Sequence, residues 1–548
     1  MQRLKKTFFQ SLILLGIVPV LGVVCLSTPE LPVGEFAGQW VWLGKACVFF
    51  AVCVLFAFAV VRPKQPTLEL LPFSRMVVWT LIMLGGMQAV WGLRQIYGLS
   101  YSNHSLFAVT GSFFNPGPYS GYLAMVFPLC LNECLALKAK KNKTWIEEAG
   151  CYIALASMLL IICVLPSGMS RSAWLAAAIS GLWVYGMHRN WRGILNNFWI
   201  KDKRRVLLIA SISSAVLFLF LTAVFYLKKD SANGRLFMWK ISLSAIADKP
   251  LLGSGIESFP ATYGSFQEAY FSGGNFSPQE ELVAGSPEYA FNEYLQIAVE
   301  RGIPMLLCIV LTLAFCLWFG VKSGQLSACG GVISFMVFSF SSYPLQYPAF
   351  IISLLFLLMA CLIADKRKWL LLGFAIIMGG IGSSLWCNDK SEACREWANA
   401  RIFYLSGNLK EAEKDYERLY PLLRNRATFL FEYGHCLHKQ KKHETSNVVL
   451  KEAATRSCDP MILNIIGKNY QQMGEYVEAE KFFIRSTHLL PGRIYPYYLL
   501  AKLYAEPRFY HSDKLRESVE IVLTKEPKVQ STAVKQMREE ARELLGNH

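Results

Sequence analysis

The chain has 548 residues, of which 53% are hydrophobic and 14% aromatic. That is too apolar for an ordinary soluble enzyme, and the apolar residues come in long blocks. A formal charge of +16 would suit nucleic acid, but the basic residues sit in the short links between the blocks: Lys5-Lys6, 62–64, 138–141, 188–205 and 365–368. That distribution marks loops held on the cytoplasmic side of a membrane, so it points to topology and away from nucleic acid.

Runs of about 17–25 apolar residues, enough to cross a bilayer core as helix, predict about eleven spans. They lie near 8–26, 40–61, 76–91, 119–137, 151–165, 173–186, 206–227, 304–321, 326–340, 350–363 and 370–385. The first lacks a clear small-x-small cleavage site and is needed to keep the alternation, so it is expected to remain as a span. The side opposite the basic links then receives 27–39, 94–118, a corner at 166–171, the long segment 228–292, 341–347 and everything after Trp386. The expected architecture is all-α: a polytopic membrane domain, 1–386, with a long exported loop at 228–292, followed by an exported domain, 387–548. Most of the fifteen cysteines fall in or beside the spans, where a small apolar side chain suffices as the reason. Cys387, Cys394, Cys436 and Cys458 lie in the exported tail, where disulfides are permitted but the spacing dictates no pairing.

In chain order, the first unusual exported stretch is "GSFFNPGPYSG", in which Gly111, Asn115-Pro116-Gly117 and Gly121 set a turn just before a span. The second is "SGMSRSAW", which puts Arg171 at the mouth of a membrane helix, a costly position usually accepted for a partner or a function. The third is "NGRLFMWKISLSAIADKPLLGSGIESF". There Leu236, Trp239, Ile241 and Ala245 predict one face of a helix lying along the membrane surface, with Arg235 on its first turn. Its Gly253-Ser254-Gly255 is a turn and not a dinucleotide fingerprint, since no strand leads into it. The fourth is "EYAFNEYLQIAVERGIP", where Asn292, Gln296 and Glu300 recur every four residues and so share a helix face. After Trp386 the apolar runs stop. Aligning Gly407, Lys441 and Gly474 gives a period of about 34 residues, the tetratricopeptide length. The unit "PMILNIIGKNYQQMGEYVEAEKFFIRSTHLLP" resembles that repeat at Gly467, Tyr470, Gly474, Tyr476, Ala479, Phe483 and Pro491. Such arrays form α-solenoids that bind peptides or protein partners, and the helix near 533–545 is expected to cap this one.

The "GSFFNP" turn, the "SRSA" corner, the "GRLFMWK" to "PLLGSG" segment and the "NEYLQ" to "ERG" helix start, in this order, resemble the O-antigen ligase and polymerase superfamily. These are bacterial membrane glycosyltransferases that include protein O-oligosaccharyltransferases. The resemblance implies an enzyme of the inner membrane with its tail in the periplasm. It would move a preassembled glycan from an undecaprenyl diphosphate carrier to an acceptor hydroxyl, with no cofactor and no required metal. A departing diphosphate leaves more easily when guanidinium forks meet its growing charge, and the resemblance assigns that role to Arg171 and Arg235. Asn115, Trp239, Asn292 and Gln296 complete the implied donor site. The ligases carry a histidine directly before the asparagine of the last motif, where this chain has Phe291, which cannot take a proton; Glu288 and Glu293 are the nearby carboxylates available as general base, with His104 in another exported loop. The acceptor stays open between lipid A core, protein serine or threonine, and another lipid-linked glycan. Competing readings are a transporter, which would need polar residues paired at mid-membrane depth, and a non-catalytic scaffold that binds carrier lipid. If the tail only reads acceptors, its removal should leave donor binding intact.

Overall fold

The computed structural model describes residues 2–27, 36–61, 73–191, 229–363, 368–386, 390–527 and 530–546, with isolated positions between 193 and 215. Most of the expected span at 206–227, and Cys387, lie outside the described residues. Among those described, every regular element is a helix. The chain separates into two compact units: residues 1–224, 291–293 and 307–391 form one, and residues 225–290, 294–306 and 392–548 form the other.

The first unit is the membrane part. Seven helical stretches among the described residues are long and apolar enough to span a bilayer: Thr7–Cys25, Ala37–Val60, Phe73–Ile96, Pro116–Ala139, Trp145–Val164, Glu293–Lys322 and one beginning at Trp369. Two shorter apolar helices, Leu326–Ser339 and Pro348–Leu362, fall below that length, and the Arg171–His188 helix carries polar residues at both ends. Among the described residues, seven of the expected spans are thus long and apolar enough to cross a bilayer, and the three shorter or more polar helices fall on the expected spans at 173–186, 326–340 and 350–363. Pro116–Ala139, Arg171–His188 and Leu326–Ser339 pack against one another and bury small residues such as Ala173, Ala176, Gly181 and Gly330, which lets backbones approach closely. Trp145–Val164 buries only Ala154, Ser157, Ile161 and Val164; its other apolar side chains face outward, as lipid contact requires. The helix ends follow local signals. Asn115 accepts from the Gly117 N–H to cap Pro116–Ala139, and Thr144 with Glu147 forms a capping box at Trp145.

The second unit joins the 228–292 loop to the tail. Its loop helices are Lys229–Asp248, Phe259–Ser272 and Pro278–Val283. One core contains Phe237, Ile241, Ala245, Phe259, Tyr263 and Phe271 from the loop, Ala298 and Val299 from the start of the Glu293–Lys322 helix, and Cys458, Leu463, Leu489 and Leu490 from the tail. On Lys229–Asp248 the buried face is thus Phe237, Ile241 and Ala245. Of the face grouped from the sequence, Ile241 and Ala245 are buried in this core, joined by Phe237 four residues before Ile241, and Leu236 is 54% exposed.

The tail runs as helix pairs: Lys390–Leu405 with Leu409–Leu423, Ala427–Lys439 with His443–Ala454, Pro460–Gln472 with Tyr476–Leu489, and Ile494–Tyr504 with Ser512–Thr524, followed by Thr532–Gly546. The turn between the helices of the first three pairs holds Gly407, Lys441 and Gly474, each at positive φ, so the aligned positions share one backbone conformation. Within the third pair a Cβ on Gly467 would come within 2.4 Å of the Phe483 ring, which is why a small residue stands there. Cys394, Cys436 and Cys458 are all buried; burial pushes the Cys458 thiol up to about 12.

Candidate active site

Within the membrane unit, several of the motifs converge at one end. The Asn115 turn meets the Arg171 corner at Gly168, where an added Cβ would lie 2.0 Å from Ser120 Oγ and 3.6 Å from the Pro116 carbonyl. From that corner, the Ser172 hydroxyl donates to the Ser341 carbonyl at 3.3 Å, and the Ser341 hydroxyl donates to Ser172 at 2.7 Å. The 341–347 loop then receives the third motif: the Leu345 N–H donates to Glu293 Oε1 at 2.7 Å, and Phe291 packs edge-on against Tyr343 at 5.0 Å. Tyr347 closes the circle against Phe113 at 5.7 Å. Asn115, Arg171, Asn292 and Glu293 are thereby gathered around one loop, 341–347, for which the sequence reading named no role.

Arg171 is the first residue of its helix, half-buried, and the Ser170 side chain before it makes no capping bond. A helix start of this kind favours a negative partner through its dipole, so guanidinium and helix end act in the same sense. Asn292 and Glu293 are 4% and 3% exposed. Glu293 is already committed to a backbone N–H, which makes it a brace for the 341–347 loop.

Two glutamines that the sequence reading passed over hold the first motif. Gln95 donates to the Tyr101 and Gly111 carbonyls at 2.9 and 3.2 Å and accepts from the Thr110 and Gly111 N–H groups at 2.9 and 2.8 Å. Gln88, two turns earlier, donates to the Val24 carbonyl and accepts from Ser112. Their signal in the sequence was available: two amides seven residues apart on one face of an apolar span. Gln95→Leu is expected to leave three backbone groups without partners, the Tyr101 carbonyl and the Thr110 and Gly111 N–H groups, at roughly 1–3 kcal/mol for each that water cannot reach. Thermal unfolding of the solubilised chain measures this, and an unchanged Tm would refute the bracing role.

In the second unit the "PLLGSG" and "ERG" motifs interlock. Ser254 N–H donates to the Val299 carbonyl at 2.8 Å, Gly255 N–H to Glu300 at 2.9 Å, and Ile303 N–H to Pro250 at 2.8 Å. The helix kinks at Gly302, with φ 80°, where a Cβ would lie 2.1 Å from the Leu251 carbonyl. Gly253-Ser254-Gly255 is indeed a turn, one that docks on the last carbonyls of a helix segment. Gly302→Ala combines a left-handed backbone costing about 1–3 kcal/mol with a clash against backbone. It should lower Tm by several degrees, and a variant as stable as the parent would contradict the interlock.

Arg235 and Trp239 are half-buried on Lys229–Asp248. On the same helix, Lys240 donates to Glu280 at 2.7 Å and to the Tyr270 hydroxyl at 2.8 Å; these hydrogen bonds hold its ammonium above the ordinary lysine range. Gln296 accepts from the Ala290 N–H at 3.2 Å and donates to Glu300 at 3.3 Å. Glu288 is exposed. Strain is concentrated at the motifs: of the five non-glycine residues at positive φ among those described, Met169, Glu257 and Phe291 lie within them, and such positions persist only where the surroundings hold them.

Fold and site together define a multi-pass helical membrane protein with a braced cluster of polar and cationic side chains at one end of its membrane unit. A family model described as O-antigen ligase matches residues 156–310. The matched stretch contains Arg171, Arg235 and the 291–293 motif, and supports a place in the O-antigen ligase superfamily and ligase-like glycan transfer in general. No curated protein matches the chain.

Proposed function

We propose that the chain transfers a preassembled glycan from undecaprenyl diphosphate to an acceptor hydroxyl at the periplasmic face of the bacterial inner membrane. The observation that carries this reading is the convergence of the Asn115 turn, the Arg171 corner and the Asn292-Glu293 motif, together with the family match over the segment that holds both arginines.

In this reaction the acceptor oxygen forms a bond to the anomeric carbon, the bond from that carbon to the diphosphate oxygen breaks, and the electron pair leaves on the phosphate. Arg171 and Arg235 are the groups that take up that charge; a guanidinium matches two phosphate oxygens at once, and such fixed donors need no reorganisation as charge develops. The acceptor proton goes to a carboxylate. Glu293 spends an oxygen on Leu345, so Glu288, exposed on the loop, is the better proton acceptor of the two. Asn115, Asn292 and Trp239 contact the donor, with Trp239 stacking on a sugar face. Gln296, whose amide is used on Ala290 and Glu300, supports the motif from behind.

Lipid A core is the first acceptor to test. A second reading, protein O-oligosaccharyltransferase, is favoured by the core that the repeats share with the loop bearing Arg235, since tetratricopeptide-like repeats read polypeptide. A strain lacking the gene, complemented with the parent chain, is scored for glycan on lipopolysaccharide and on periplasmic proteins. Glycan restored only to lipopolysaccharide supports the ligase, and only to proteins the oligosaccharyltransferase. Restoration of neither refutes both and leaves a polymerase, carrier-binding or transport role.

A further inference from the structure

The turn between Lys229–Asp248 and Phe259–Ser272 carries three large apolar side chains that the fold leaves outside: Leu251 at 70% exposed, Leu252 at 87% and Ile256 at 68%. Folded chains rarely present such a cluster on an exported loop unless something covers it. The same turn is fixed by backbone bonds to the kink of Glu293–Lys322. Immediately after that kink the helix shows its own outward apolar residues, Ile303 and Met305, and continues as an apolar helix through Lys322. Leu251 and Ile303 are thus held side by side where the apolar run of that helix begins. We propose that the 250–256 turn is a wedge that enters the outer leaflet of the bilayer crossed by the Glu293–Lys322 helix, its occupant being the lipid surface itself.

Two further features fit lipid better than a protein partner. Pro250 has no N–H, and the N–H groups of Gly253, Ser254 and Gly255 are paired with the carbonyls of Lys249, Val299 and Glu300. Those pairings remove part of the backbone cost of leaving water. The exposed charges nearest in sequence, Asp248, Lys249, Glu257 and Arg301, flank the apolar residues and do not interrupt them, so they mark the headgroup level and the long cationic stems extend toward it. The wedge ties the loop that bears Arg235 to the membrane surface at a fixed depth. It does not depend on the transfer reading, only on the helix crossing a bilayer.

The test places a benzophenone amino acid at Leu252 in the full-length chain, reconstituted in vesicles of phosphatidylethanolamine and phosphatidylglycerol, with Ser265, exposed on the neighbouring helix, as the control position. Irradiation should yield phospholipid adducts at position 252 about tenfold above those at 265, as expected for a side chain below the headgroups and one above them. Protein adducts at 252, or equal lipid labelling at both positions, would overturn the wedge. In a second variant the probe sits at Leu251 and Leu252→Glu resists insertion. Lipid labelling is expected to fall by about tenfold, since a charge is expelled from the leaflet; labelling that persists would equally overturn it. Neither readout uses a donor, so a failure of glycan transfer and a failure of the wedge are seen separately.

Discussion

Arg171→Ala is expected to abolish glycan transfer while the chain still folds and inserts. Arg171 opens its helix beside a corner braced from two directions, by Gly168 against Ser120 and by Ser172 against Ser341. Truncating the side chain removes none of those braces, so the loss should fall on chemistry. Fixed donors to a developing negative charge are worth about 100- to 1000-fold in turnover each. Arg171→Lys keeps the charge and loses the fork, and should recover only a small part of the rate. Donor turnover in membranes, with expression and melting temperature recorded for each variant, separates these cases. Parent-like turnover in Arg171→Ala would remove Arg171 from the donor site, and parent-like turnover in Arg171→Lys would show that charge alone suffices.

Removal of 387–548 is expected to cost donor binding as well as acceptor use. From the sequence the tail is an appended reader whose loss spares the donor site; the shared core changes that expectation. Leu463, Leu489 and Leu490 cover Phe259, Tyr263 and Phe271 of the loop, and exposing one such side chain costs about 1.5–3 kcal/mol. The buried carboxamide of Gln267 adds a polar tie: it accepts from the Tyr263 hydroxyl at 2.6 Å and donates to the carbonyls of Gly285 at 3.1 Å and Leu489 at 2.6 Å. Arg485 pairs with Glu268 through two nitrogens at 2.8 and 3.1 Å, and Lys525 pairs with Glu281; these half-exposed pairs contribute less. Without the tail, the Phe259–Ser272 helix, against which the Lys229–Asp248 helix that presents Arg235 packs, loses its cover. Binding of undecaprenyl diphosphate to the truncated chain, with hydrogen exchange over 229–248, measures the effect. Parent-like affinity and parent-like protection would make the tail an independent module after all.

The two arginines and the Asn115 and Asn292 motifs were legible because their residue types are unusual where they occur. A cation at a span mouth, a proline-glycine turn before a span and polar residues at four-residue spacing stand out against an apolar background. The helix pairs of the tail were legible through Gly407, Lys441 and Gly474, even where lysine occupies a position that favours glycine. Gln88 and Gln95 stood in plain view, but what they hold lies up to 64 residues away in the chain, and no local pattern predicts such a partner. Leu236, Trp239, Ile241 and Ala245 were grouped on one face by spacing alone, and only packing shows that Phe237, Ile241 and Ala245 are the residues buried.

What the sequence determined by itself is whatever depends on short stretches: that the chain is helical, where apolar runs are long enough to meet lipid, which links carry the basic charge, and where a glycine or proline must break a helix. Tertiary structure decided the rest. It set Glu293 on the Leu345 N–H, interlocked Gly253 with Gly302, gathered the motifs around 341–347, and built the 228–292 loop and the tail around one core. Those outcomes turn on which distant surfaces exclude water and pair polar groups together, and that free energy belongs to no single stretch of chain.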